Sequence, residues 1–284
     1  MNVQKIKNKK MQKLLRRFIQ LLFFCFLPSA YSTAFQGVKY LVGQIGNGKS
    51  IQLNSFVEVL ILLCVYTIVF DRFFCGYACA FGATSDFLYA FGQWLLKKMK
   101  KKKKHQSDAL DILQYVKYII LATIIGLCFF GVYQTISCYS PWEAFSLLRS
   151  MHFEFKKTWI GWIFLLVIMM GMLVRERFFC HFLCPMGAFF SMLPILPWFR
   201  VKREKENCLK GCRACRMNCP GQADIPDAES YLSEGECFMC LKCVENCPKE
   251  NIATGKHKEE LKGNEVWFIL FRAGILFGML GFFV

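Results

Sequence analysis

Asp71-Arg72-Phe73-Phe74-Cys75-Gly76-Tyr77-Ala78-Cys79-Ala80-Phe81-Gly82-Ala83 recurs later in the chain as Glu176-Arg177-Phe178-Phe179-Cys180-His181-Phe182-Leu183-Cys184-Pro185-Met186-Gly187-Ala188. An acid, an arginine, two phenylalanines and a Cys-x3-Cys pair keep their order, and each copy follows a long apolar run. A repeat of this kind reads as duplication of a structural unit. The expected unit is a two-helix hairpin whose second helix ends at the cysteines, with the copies related by a pseudo-twofold axis along the membrane normal.

Outward from the repeat, apolar segments run from Phe18 to Phe35, Phe56 to Phe70, Tyr115 to Tyr133, Trp159 to Val174 and Val266 to Val284. About 20 residues of helix cross a hydrocarbon core, so the middle three are spanning candidates. The first is short and interrupted by Pro28; further spans follow it closely, so an uncleaved helix is expected rather than a leader peptide. The last carries Arg272 and is read as spanning, with an interfacial helix as the alternative. Composition agrees: 55% of the 284 residues are hydrophobic and 30 are Phe, too apolar for an ordinary soluble domain.

Basic residues set the orientation. Lys5, Lys7, Lys9, Lys10, Lys13, Arg16 and Arg17 precede the first apolar segment. Lys97, Lys98 and Lys100 to Lys104 separate the second and third, and Arg175, Arg177, Arg200, Lys202 and Arg203 follow the fourth. The intervening stretches, Gln36 to Ser55 and Gln134 to Thr158, are poor in Lys and Arg. The positive-inside rule therefore places the N-terminus, the lysine loop and the Cys-rich segment in the cytoplasm. The lysine run beside a span is explained by topology and anionic membrane lipid, and nucleic acid is not expected as a partner. The formal charge of +16 is smaller once cofactors are counted, because a filled oxidised four-iron cluster with its thiolates subtracts roughly two.

The 16 cysteines are grouped at short intervals, which favours metal ligation over disulfides. Cys237-x2-Cys240-x2-Cys243-x3-Cys247-Pro248 is a bacterial four-iron run, and Cys208-x3-Cys212-x2-Cys215-x3-Cys219-Pro220 is the same run with one extra residue in its first gap. Three close thiolates hold one cubane, and the fourth, beyond a turn at proline, reaches the neighbouring one. Cys208, Cys212, Cys215 and Cys247 are thus assigned to one [4Fe-4S] cluster, and Cys237, Cys240, Cys243 and Cys219 to another. A zinc ribbon is the competing reading, but zinc needs no crossed pattern of eight cysteines.

Cys75, Cys79, Cys180 and Cys184 are the second signal. On a helix a spacing of four puts both sulfurs on one face, and two pairs meeting across the pseudo-twofold would supply four thiolates at the membrane boundary. A third iron–sulfur cluster is the expected occupant, with copper as another soft-thiolate option and simple packing as the plainer one. Gly76, Gly82, Pro185 and Gly187 would let the chain bend there. Asp71, Arg72, Glu176 and Arg177 read as interfacial side chains that snorkel, although orienting the site or binding a quinone headgroup is open to them. His181 lies between two cysteines and could donate to a cluster sulfur, contact a quinol or pack. Cys25, Cys64 and Cys128 read as packing, and Cys138 falls on the outer face. No Ser-His-Asp arrangement, phosphate-cradling loop or flavin fingerprint is present, so the chemistry expected is electron movement.

These motifs resemble those of the NapH-type ferredoxin family of polytopic membrane proteins. They are similar too to the membrane halves of NosR-type regulators and of copper-reducing proteins in oxidase assembly. Cys180, Cys184 and Pro185 match the family's C-x3-C-P motif, whereas Ala80 stands where the first copy would have proline. The resemblance implies an inner-membrane electron-transfer subunit of an oxidoreductase complex, paired with a quinone pool or an electron carrier outside.

The expectation is an α-helical polytopic membrane protein with four to five transmembrane helices, a duplicated hairpin and a small α+β module holding two clusters. Residues 1–96 form the first hairpin, 97–111 a cytoplasmic linker and 112–200 the second hairpin. Residues 201–262 form the cytoplasmic ferredoxin module and 263–284 a C-terminal helix. Its function is to relay electrons between a cytoplasmic reductant or acceptor and a quinone, or a membrane or extracytoplasmic partner carrying flavin, haem or another cluster. A copper-reducing assembly factor and a redox-sensing regulator are the alternatives. Cluster potentials span roughly −700 to +450 mV, so spacing alone assigns no direction.

Overall fold

The computed structural model describes residues 3–98, 108–137, 140–150, 155–223, 225, 235–254 and 265–283. Cys138 and the lysines from Lys100 to Lys104 lie outside the described residues. The chain is mostly helical. In order it forms α1 (Val3–Phe26), α2 (Ala30–Gly46), α3 (Ser55–Phe70), α4 (Ala80–Lys98), α5 (Val116–Phe129), α6 (Tyr133–Ile136), α7 (Pro141–Ser150) and α8 (Phe155–Val174). The short α9 (Phe178–Phe182) and α10 (Pro185–Ser191) lead to β1 (Val201–Arg203), α11 (Ala214–Met217), α12 (Lys242–Asn246), β2 (Ile252–Thr254) and α13 (Glu265–Phe283).

The helices depart from the expected spans in three places. The first apolar segment is not one helix: it breaks at Pro28, between α1 and α2, because proline lacks an N–H and its ring clashes with the preceding turn. Beyond the break α2 continues to Gly46, through residues read as loop. Residues Ile112–Phe129 and Glu265–Phe282 are long and apolar enough to cross a membrane, and the broken α1–α2 pair makes a third candidate. The helix α3 and the apolar part of α8, Thr158–Val174, are shorter. Each stops just before the charged residues that open the repeat, Asp71-Arg72 and Arg175-Glu176-Arg177.

Two compact units divide the chain, with boundaries between α1 and α2 and inside α3, α4, α10 and α13. The first gathers Met1–Pro28, Leu62–Ala83 and Phe190–Phe282. Within it α13 presents Ile269, Arg272, Ala273, Leu276 and Leu280 inward, the three-and-four spacing of one helical face. Phe277 meets Phe23 edge-on with ring centroids 5.6 Å apart, and Phe271 meets Phe70 at 6.4 Å. Tyr66 donates its hydroxyl to the carbonyl of Arg272 at 3.0 Å. In the same unit β1 pairs antiparallel with β2, Val201 opposite Thr254 and Arg203 opposite Ile252, closing the ends of the Cys-rich segment.

The second unit comprises Ser29–Ile61, Thr84–Phe189 and the last two residues. Here α2 lies against α5 and α7 against α8. Gly46 is required because a methyl there would overlap the carbonyl of Phe129. Two buried ion pairs hold this unit. Lys39 reaches Glu143 at 3.1 Å. Arg177, fully buried, forks onto Asp86 with Nε 3.0 Å from Oδ1 and Nη2 2.7 Å from Oδ2. Such bidentate geometry recovers much of what burial of a guanidinium costs. Replacing Asp86 by Ala removes this carboxylate from a buried guanidinium, so the variant should lose about 3–5 kcal/mol of stability. Thermal unfolding of the purified protein in detergent checks this, and Asp86→Glu should recover part of the loss.

Candidate metal centre

The Cys-rich segment folds as two short helical turns, α11 and α12, packed on each other and closed by the β1–β2 pair. Cys208 and Cys212 are exposed, Cys215, Cys219, Cys237 and Cys243 half-buried, and Cys240 and Cys247 buried. Burial pushes the Cys243 thiol well above its usual range, and the negative charge of Cys237, Cys240 and Cys219 pushes it further. Burial does the same to Cys237, to which Asp71, Cys219 and Cys240 add. Four sulfurs that repel one another as thiolates therefore share one neighbourhood, and they are the four that spacing assigns to one cluster.

Left alone, such a set would hold its protons, whereas a bound metal deprotonates coordinating thiols outright. The backbone is shaped for the same task. Met239 (φ 48°) and Leu241 (φ 57°) are left-handed, which turns successive N–H groups inward as in the anion-binding nests of many iron–sulfur sites. Met239 donates its N–H to Cys237 Sγ at 3.4 Å. Burial raises Cys219 as well, opposed by the N–H groups of Gly221, Ala223 and Gln222. These residues fit a four-iron cluster. The other set is more open: Asn251 donates its N–H to Cys247 Sγ at 3.4 Å, and Cys208 Sγ stands 3.5 Å from the carbonyl of Glu204. Among the described residues no three Cys, His, Asp or Glu side chains close as they would round a single ion.

The loop from Cys237 to Cys240 does not stand free. A methyl on Gly76 would overlap the carbonyl of Phe238 and press on Met239. The turn that carries Cys75 thus lies backbone to backbone on the loop that carries Cys237 and Cys240. From α1, Gln20 donates to the carbonyl of Gly76 at 3.1 Å. Arg16 donates to the carbonyl of Cys240 at 2.9 Å and pairs with Glu245 at 3.3 Å. Arg72 donates to the carbonyl of Gly235 and sets its guanidinium 5.0 Å from the centre of the Phe238 ring.

The Cys-x3-Cys pairs are not the single helical faces the spacing predicts. Cys75 sits in one wide π-helical turn, Phe74–Ala78, and Cys79 is extended (φ −67°, ψ 125°), just before α4. Cys180 lies in α9 and Cys184 just before α10, whose Gly187 donates an N–H to Cys184 Sγ at 3.2 Å. Tyr31 Oη lies 3.7 Å from the same sulfur. Each pair is thus one helical cysteine and one at the start of the next helix, where the helix dipole favours a thiolate. Pro185 suits the first helical position, and its ring keeps Cys184 off the helical backbone. Ala80 takes the corresponding position in the first copy as an ordinary helix former, so the missing proline leaves the start of α4 intact.

The charged residues of the repeat correct the snorkelling expectation. Asp71, Arg72 and Arg177 are buried, at 4%, 1% and 0% exposure. Left-handed backbone at Asp71 (φ 60°) and Arg177 (φ 55°) turns the chain inward after α3 and α8. Cys75 and Cys79 belong to the first unit, Cys180 and Cys184 to the second. His181 is buried in the second unit. Cys25 is exposed, Cys64 half-buried and Cys128 buried.

The close approach at Gly76 has a direct consequence. Gly76→Ala should displace the Cys237–Cys240 loop at a cost of about 1–3 kcal/mol, the range for overpacking. Amide hydrogen exchange at Phe238, Met239 and Leu241 should quicken, while exchange in α2 and α5 stays unchanged.

A family model described as a 4Fe-4S binding domain matches residues 56–102 and 158–206, the two copies of the repeat. The chain is 26% identical to an uncharacterized protein of Methanocaldococcus jannaschii over 85% of its own length and 94% of that protein. It is 25% identical to the putative electron transport protein YccM of Escherichia coli, over 79% of this chain and 64% of YccM. Protein NirI of Paracoccus denitrificans is 30% identical over 60% of this chain, which spans only 24% of NirI. No solved structure matches. At low identity and over part of its length, the chain is also similar to the regulatory protein NosR and to the ferredoxin-type proteins NapH and MauN.

Proposed function

We propose that this chain is a membrane-bound iron–sulfur subunit that relays electrons between a cytoplasmic redox protein and a quinone, or a partner in or beyond the membrane. The observation that carries the reading is the seat of the Cys237–Cys240 loop on the Cys75–Gly76 turn. That contact places the most enclosed thiolate set of the ferredoxin segment against the start of a membrane motif. Each four-iron cluster, when bound, supplies one-electron chemistry. Cys219, Cys237, Cys240 and Cys243 hold one, and Cys208, Cys212, Cys215 and Cys247 hold the other. Cys75, Cys79, Cys180 and Cys184 hold a third; the family model falls on both of these pairs, and its description names four-iron binding. The protein's own part is to ligate, to keep water from the Phe238–Leu241 backbone and to fix the loop with Arg16 and Gln20.

This reading retains the expected inner-membrane setting, with the N-terminus and the ferredoxin segment on the cytoplasmic side. A description as an electron transport protein attaches to the Escherichia coli relative and supports the same role here.

Anaerobic purification with iron assay and EPR of the reduced protein tests the proposal. Three cubanes predict about twelve irons per chain, and replacing Cys75, Cys79, Cys180 and Cys184 together by Ser should leave about eight. A wild-type count near eight that the replacement leaves unchanged would remove the membrane cluster from the scheme. Copper in place of the missing iron, lost with the same four cysteines, would turn the reading to copper reduction.

A further inference from the structure

The first unit buries more positive than negative charge beside the Cys237 loop. Arg72 and Arg272 are each 1% exposed and Arg200 is 6% exposed, while the carboxylate buried among them is Asp71. All three guanidinium charges act on Asp71, and both Asp71 and Arg200 act on Cys237. Arg72 flanks Cys237 on both sides, through the carbonyl of Gly235 and the ring of Phe238. Its Nε and Nη2 have no hydrogen-bond acceptor, nor does Nε of Arg272. The strongest opposing charge on Arg72 is Cys75, followed by Glu236 and Asp71. Arg272 donates to the carbonyl of Phe199 at 3.2 Å and lies over the Phe199 and Phe73 rings, at 5.3 and 6.0 Å. Carbonyls and ring faces orient a cation without neutralising it.

The repeat supplies an internal comparison. Arg177 is the counterpart of Arg72, and it is neutralised by a bidentate carboxylate, Asp86. Arg72 is equally buried, yet its guanidinium hydrogen bond goes to a carbonyl of the ferredoxin segment. A buried guanidinium is costly, so its surroundings should hold a compensating anion. A four-iron centre with four thiolates is such an anion, and it gains a further negative charge on reduction.

We propose that Arg72, backed by Arg200 and Arg272, is a positioning charge that raises the reduction potential of the centre held by Cys219, Cys237, Cys240 and Cys243. This rests on the iron–sulfur reading above. Uptake of one electron from a one-electron reductant adds one negative charge at that centre and breaks no bond. Fixed positive charge nearby therefore favours the reduced form.

The test is a potentiometric titration of the full chain with dithionite and mediators, followed by EPR, with the signal assigned by its loss in Cys237→Ser. Arg72→Gln should lower the reduced-to-oxidised ratio about tenfold at a fixed potential, which is a shift of about 59 mV for a one-electron couple. Arg72→Lys keeps the charge and should titrate with the wild type. Arg17→Gln, an exposed change on α1, should do the same. If Arg72→Gln fails to assemble, Arg272→Gln provides the second measurement and should shift the midpoint in the same direction. An assembled Arg72→Gln or Arg272→Gln protein titrating with the wild type would overturn the proposal while leaving the relay intact. Wild-type protein without iron or signal would overturn both.

Discussion

The carbonyl of Phe238 occupies the space a side chain would need at position 76, and much of the first unit is arranged around that approach. Two polypeptide backbones can come this close only where one lacks a Cβ. Once they do, the surrounding polar groups have little choice of partner. Gln20 meets the carbonyl of Gly76, Arg16 the carbonyl of Cys240, and Arg72 the carbonyl of Gly235. These bonds attach a small, weakly cored segment to helices that have ample apolar surface. A two-stranded sheet and two single-turn helices bury little on their own, so the segment draws order from this seat.

Charge explains why the seat is lined as it is. Arginine keeps its proton even when buried, and its planar fork orients on carbonyls and aromatic faces. Lysine in the same position would hold its proton only beside a filled, anionic centre. The duplication sharpens the contrast, because the same arginine in the second copy has its own carboxylate. One copy has kept an arginine ion-paired with a carboxylate and the other an arginine facing the sulfur-rich loop.

Much of this was legible in the sequence, for reasons that can be stated residue by residue. The spacing of Cys219, Cys237, Cys240 and Cys243 proposes which thiols share a centre, and in the structure Cys243 senses the charge of the other three. The charged residues that open each copy mark where α3 and α8 stop, at Phe70 and Val174. What the sequence concealed was long-range or conformational. Arg16 and Gln20 sit one turn apart in α1 and read as part of a basic flank; only the fold shows that they reach residues 56 to 229 positions away. The Cys-x3-Cys pairs read as helical faces, yet a break between their members turns the second cysteine into a helix start. Pro28 announced an interruption, but not that α2 would continue through Gln36 to Gly46.

The first unit also has an unusual order of manufacture. It is assembled from the opening 28 residues, a short central stretch and the segment from Phe190 onward. During synthesis α1 waits for partners made much later, and α13, which carries Arg272, follows the Cys-rich segment. Contacts so distant in sequence form slowly, after many shorter-range ones are complete. The cysteines from Cys208 to Cys247 are therefore synthesised before the helix that completes their surroundings. That delay leaves an interval in which a cofactor-loading machinery could reach them.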